Sequence, residues 1–167
     1  MIDVPAALPA PAGTAAERTA LEGFLEQYRA IVVRKAAAVS DDRARRRLVD
    51  SETTVIGLVR HLIWVERAWF GEVLSGDPRP EWRDRDPDWQ FRVGGETLEE
   101  LITEYQAVCE QSRQVAAGLS LDATGQHPRM GTMSLRWIYL HMLEELARHA
   151  GHLDILVEQL GGGAGFD

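Results

Sequence analysis

The 167-residue sequence holds a single cysteine, Cys109. That excludes an intramolecular disulfide framework and any multi-cysteine zinc site. Cys109 follows Leu101, Tyr105 and Val108 in an apolar-periodic stretch, so a buried structural thiol is expected rather than a nucleophile. No run of about 18 apolar residues occurs, so no membrane-spanning helix is expected. Residues 1–13 lack both a basic start and a long apolar segment; no secretory signal is read there, and a cytoplasmic location is the expectation. Excess positive charge is also missing: the net charge is -8 and the pI about 5.1. Nucleic-acid binding requires clustered cations to neutralise phosphates. The only basic cluster, Arg43, Arg45, Arg46 and Arg47, is diluted by Asp41, Asp42 and Asp50 and reads as a solvated face between two helices.

What the chain does have is helical periodicity. Its hydrophobic fraction of 45% suffices for one continuous core and its length for one domain. Residues 1–13, rich in proline and alanine, read as a flexible or surface-pinned arm, residues 14–160 as the single domain, and residues 161–167 as a glycine-rich tail. Leu21, Phe24, Leu25, Tyr28, Ile31 and Val32 recur at helical spacing within a first helix expected over 14–39. A second helix starts near Ser51 and Thr53, both able to cap it, and runs to about Leu74, where Gly76 and Pro78 end it. Residues 77–96 form a long connection holding Trp82, Trp89 and Phe91; connections of this length are often functional, and these aromatics either pin it to the domain or line a substrate mouth. Thr97 and Glu100 match a capping box for a third helix to about Ala117. After an irregular stretch over 120–133, Ser134 caps the last helix, expected over 134–160. Four long helices with no convincing strand pattern make the expected fold all-α, a four-helix bundle with a long link between the second and third helices.

Chemistry concentrates in the histidines: His61 on the second helix, and His141, His149 and His152 on the fourth. Residues four apart share a helix face, so His141, Glu145 and His149 form a polar row with His152 beside it. Eight residues of helix rise about 12 Å, whereas imidazole binds zinc at about 2.0–2.1 Å, so His141 and His149 cannot both reach one ion. One i, i+4 pair can, either His141 with Glu145 or Glu145 with His149; spacing does not separate them. His61, the only histidine on another expected helix, would then supply the third ligand, as facing helices of a bundle do.

The stretch from Thr53 to Leu62 with Glu66, Trp69 and Phe70, and the stretch Ser134 to Trp137 leading into His141, Met142 and Glu144 to Asp154, resemble the DinB-like (YfiT-like) superfamily of four-helix metalloproteins, in an actinobacterial branch. The resemblance covers about residues 17–160. Such proteins carry one histidine on the second helix and an H-x3-H pair on the fourth. It therefore implies the ligand set His61, Glu145 and His149, with Glu145 standing where the pattern has its first histidine. Mycothiol-dependent maleylpyruvate isomerase, a relative, resembles this chain in pairing glutamate with histidine there.

A set of two histidines and a carboxylate suits zinc, and also nickel, iron or manganese. The resemblance further implies mycothiol, a low-molecular-weight thiol, as co-substrate of an S-transferase or isomerase acting on a small electrophile. In that scheme His152 or His141 moves protons, and Arg60, Arg136 and Arg148 are candidates for holding a carboxylate or the sugar-linked thiol. Homodimerisation is implied by the same relatives. The alternatives are a non-catalytic metal-binding stress protein and a metal-dependent hydrolase using water in place of thiol.

Overall fold

The computed structural model describes residues 2–78 and 89–162. The chain is mostly helical: α1 Glu17–Ala37, a short α2 Asp41–Ala44, α3 Val55–Glu66, α4 Leu98–Ala117 and α5 Leu135–Gln159. Among these residues no helix is long and apolar enough to cross a membrane. The long helices pack around one core, α1 on α4 and α5, and α3 on α4 and α5. Leu25, Val32, Leu58, Leu62, Ile102, Ile138, Met142 and Leu146 are among the side chains buried there, and their three- and four-residue spacing is what turns one face of each helix inward.

Helix ends follow local chemistry. Thr54, rather than Ser51 or Thr53, caps α3 by accepting from the Gly57 amide; the hydroxyls of Ser51 and Thr53 bond each other instead. Thr97 and Glu100 form the expected capping box, and Ser134 caps α5 by accepting from the Trp137 amide. Past Glu66 the second helix widens into a π-helical segment, Arg67–Ser75, closed by Gly76 at φ 75°. Such widening is rare and re-aims the side chains it carries; here Trp69, Phe70 and Val73 stay buried.

The expectation of no strands is corrected. Within the stretch 120–133 and the residue after it, β1 (Thr124–His127) and β2 (Gly131–Ser134) form an antiparallel hairpin, with Thr124 opposite Ser134 and His127 opposite Gly131. Neither strand alternates apolar and polar residues over a useful length, which is why the pattern is silent. The hairpin is fixed by docking instead. Gly125 is buried, and a Cβ there would lie 2.0 Å from the Val73 carbonyl oxygen, so only glycine lets β1 seat on the π-helical segment.

The arginine-rich link also differs from a plain solvated face. Arg45 bonds Asp41 and the Glu96 carbonyl, Arg43 bonds the Leu160 carbonyl, and Asp41 accepts from the Leu98 amide at 2.6 Å. The link thereby clamps the start of α4 and the end of α5. Residues 2–13 form no regular element but touch the helices: Gln106 donates to the Asp3 carbonyl at 2.7 Å, Gln27 donates to that of Leu8 at 3.2 Å, and Pro11 abuts Gly23.

Deep in the core, Arg29 of α1 grips Glu66 of α3 with two bonds, Nε to Oε1 at 2.8 Å and Nη2 to Oε2 at 2.7 Å. Glu66 has no exposed surface. The Cys109 thiol donates to the same carboxylate at 3.7 Å; burial, then the neighbouring Glu66 charge, pushes its pKa far above the usual thiol range, so it is an inert packing thiol.

Two stability outcomes follow. Gly125→Ala should cost about 1–3 kcal/mol, the usual cost of overpacking, and lower the melting temperature, whereas Gly118→Ala, with open space around it, should leave melting nearly unchanged. Arg29→Met should cost about 3–5 kcal/mol by stranding a buried carboxylate, and Glu66→Leu added to it should recover much of that loss; chemical denaturation of the single and double variants measures both.

Candidate metal centre

α3 and α5 meet where His61 faces Glu145 and His149. Glu145 Oε2 lies 3.3 Å from His149 Nε2 and 3.7 Å from His61 Nε2. The two imidazoles sit edge to face with centroids 4.6 Å apart. One ligand atom from each of the three residues lies within 4.8 Å of the other two. Two ligand atoms of a tetrahedral zinc ion, each at about 2.0–2.1 Å, are about 3.4 Å apart, so the Glu145–His149 pair already has the required separation and His61 needs only a small closing movement.

The electrostatics favour a cation. The imidazoles of His149 and His61 hold the Glu145 carboxyl well below the usual carboxylate range, so it is ionised and ready to ligate. Both ring nitrogens of His61 are buried with no hydrogen-bond partner. A buried imidazole without partners is costly, and an ion bound at Nε2 would supply one. The residues present therefore fit a divalent metal.

Neighbouring groups hold these side chains in place. His152 Nδ1 lies 3.4 Å from His149 Nδ1, on the side of the ring away from Glu145. Desolvation, then the nearby charges of His149 and Arg148, lowers the His152 pKa, which favours its neutral form. Arg148 donates to the outer oxygen of Glu145 at 3.3 Å and to Glu144 at 2.5 Å. Over the opposite helix, Phe91 stacks on His61 with centroids 4.7 Å apart and planes 19° from parallel.

Of the two i, i+4 pairs left open by spacing, Glu145 with His149 is the one gathered against His61. His141 lies a turn earlier, stacked on Trp137 at 5.1 Å and edge-on to Trp69 at 4.6 Å, with His127 stacked on the same Trp69 ring at 5.1 Å. Arg60 is paired with Glu96, and Arg136 with Glu17 and Asp122. Nine residues of helix separate Arg136 from Glu145, about 13.5 Å along the axis, so Arg136 is not brought to the cluster.

Phe91 is the neighbour that spacing does not reveal. Among the connection's aromatics, Trp89 packs edge-on to Trp64 at 4.8 Å while Phe91 covers a histidine of the cluster; Trp82 lies outside the described residues. The available signal was Gly57, one turn before His61. A Cβ there would approach the Phe91 carbonyl oxygen to 2.7 Å, so the glycine seats the turn Trp89–Phe91 against α3.

A helical protein with an inter-helix cluster of two histidines and a carboxylate is a candidate metalloprotein of the kind facing helices build. Residues 20–162 match the family model described as Mycothiol-S-transferase, and the chain belongs to that family. No curated protein matches it.

Metal content tests the cluster directly. His61→Ala and Glu145→Gln should each bring the metal recovered per chain, measured by elemental analysis of untagged protein, close to zero. His141→Ala should retain it in full.

Proposed function

We propose that this protein is a metal-dependent mycothiol S-transferase acting on a small electrophile, with His61, Glu145 and His149 as the protein ligands of one divalent ion. The observation that carries this reading is the convergence of those three side chains in a chain of the mycothiol-S-transferase family. Zinc is the metal of first choice for this donor set, and nickel, iron and manganese are compatible with it. We read the four long helical stretches as the four-helix arrangement that the DinB-like resemblance implies.

When bound, the cation would offer an open position at which a thiol loses its proton near neutral pH. The chain's own residues do the rest. Glu145 supplies negative charge without a deprotonation cost. His152, within 3.4 Å of His149, orients that ring by accepting from or donating to Nδ1 and is the better placed of the two candidate histidines to move a proton. His141, held between Trp69 and Trp137, belongs to the wall beside the site. Phe91 keeps water off the outer face of His61. Arg148, which steadies Glu145, is the arginine nearest to an incoming carboxylate or sugar, and its exposure leaves it able to turn toward one.

Mycothiol added to zinc-loaded protein should raise the melting temperature and give a saturable titration, and both effects should vanish after chelation. Thioether formation from mycothiol and monochlorobimane, with release of chloride and the thiol proton, should exceed the uncatalysed rate only with metal and fall at least tenfold, the scale of a lost metal-orienting partner, in His152→Ala. Mycothiol binding that survives chelation unchanged would overturn the reading.

A further inference from the structure

We propose that the cleft between α1, α4 and α5 is a second ligand site, separate from the metal centre, for a neutral polyhydroxylated molecule of sugar size. The cleft has a volume of about 410 Å³, within the range of about 300–1,000 Å³ typical of small-molecule sites. It shares no lining residue with the His61, Glu145 and His149 cluster.

Its walls are charged and already locked. Arg18 donates to the Ala116 and Leu119 carbonyls at the end of α4, at 2.8 and 2.5 Å, and to Glu22 at 2.8 Å. The Tyr139 hydroxyl donates to the same Glu22 oxygen at 2.9 Å. Arg29, only 5% exposed, is held by Glu66 and by Glu26 at 2.6 Å, and Glu26 also takes Arg113 at 2.9 Å. Long side chains fixed in this way lose little further entropy when a ligand arrives.

The charge pattern selects the ligand. Each carboxylate of the wall is matched by an arginine, so neither an anion nor a cation finds an uncompensated partner; binding one would mean breaking an ion pair. Hydrogen-bonding capacity remains all the same. An arginine has five N–H donors, and Arg18 and Arg29 each use three in the bonds above. A carboxylate has about four lone-pair sites, of which Glu22 fills two. Ser112, 2% exposed, adds a hydroxyl to the lining. Leu25 and Phe70 supply an apolar floor. A lining that combines residues with spare donors and acceptors and two apolar side chains suits a ring whose hydroxyls both give and accept and whose C–H face is apolar.

The test uses the full isotope-labelled chain, with and without zinc, titrated with glucose, trehalose, glycine and acetate while backbone amide and arginine Nε–H signals are followed. Glucose or trehalose at millimolar concentration should shift the signals of Arg18, Ser112 and Tyr139 saturably, equally in both metal states, and leave His149 unmoved. Tyr139→Phe and Glu22→Gln should each weaken that binding several-fold, with melting curves confirming that both variants fold. The proposal is overturned if neither sugar shifts these signals, if glycine or acetate shifts them instead, or if the sugar-induced shifts centre on His61 and His149.

Discussion

The buried Arg29–Glu66 pair governs much of this molecule. It joins α1 to the last residue of α3, at the point where the helix widens into its π-helical continuation. An ion pair taken out of water is not in itself a strong source of stability. Its value is geometrical: two parallel hydrogen bonds between planar groups permit one relative placement of the helices that carry them. α3 is thereby held with His61 turned toward α5, and its continuation with Trp69 and Phe70 turned inward. The same guanidinium lines the cleft between α1, α4 and α5, so the interior constraint and the surface opening are built from one side chain.

Around that frame, the candidate metal centre draws its three clustered side chains from only two helices. Glu145 and His149 come together because residues four apart share a helix face, and His61 meets them because α3 packs on α5. The supporting contacts come from elsewhere: His152 from the next turn of α5, Arg148 from the solvent side, and Phe91 from the connection between α3 and α4. Short-range spacing thus pairs Glu145 with His149, and longer-range packing sets their surroundings.

This division explains what could be read from the residues alone. The long helices, the caps at Thr97 and Ser134, and the stop at Gly76 follow from periodicity and end chemistry, which are local. The gathering of His61, Glu145 and His149 was also legible, since His61 was the one histidine on another expected helix and the family resemblance separated the two possible pairs. The hairpin was not legible, because Gly125 matters through contact with Val73, more than fifty residues away. Nor was the short helix α2, where Arg43 and the following Arg45 bond the distant carbonyls of Leu160 and Glu96. Nothing in the local pattern of α1 distinguishes Arg29; its pairing with Glu66 of α3 makes it an interior group. Arg60 and Arg136 were plausible anion binders by residue type, yet both are engaged by carboxylates of this chain.

Gly57 has a meaning for the wider family. Because the backbone at Phe91 rests against its α-carbon, the route of the connection can be inferred in a homologue from one position on the preceding helix. A relative with alanine or a larger residue there must carry its connection along another path and leave the outer face of its histidine to a different group or to solvent. One small residue, more than thirty positions before the connection's aromatic turn, therefore reports how the outer face of the helix-borne histidine is roofed.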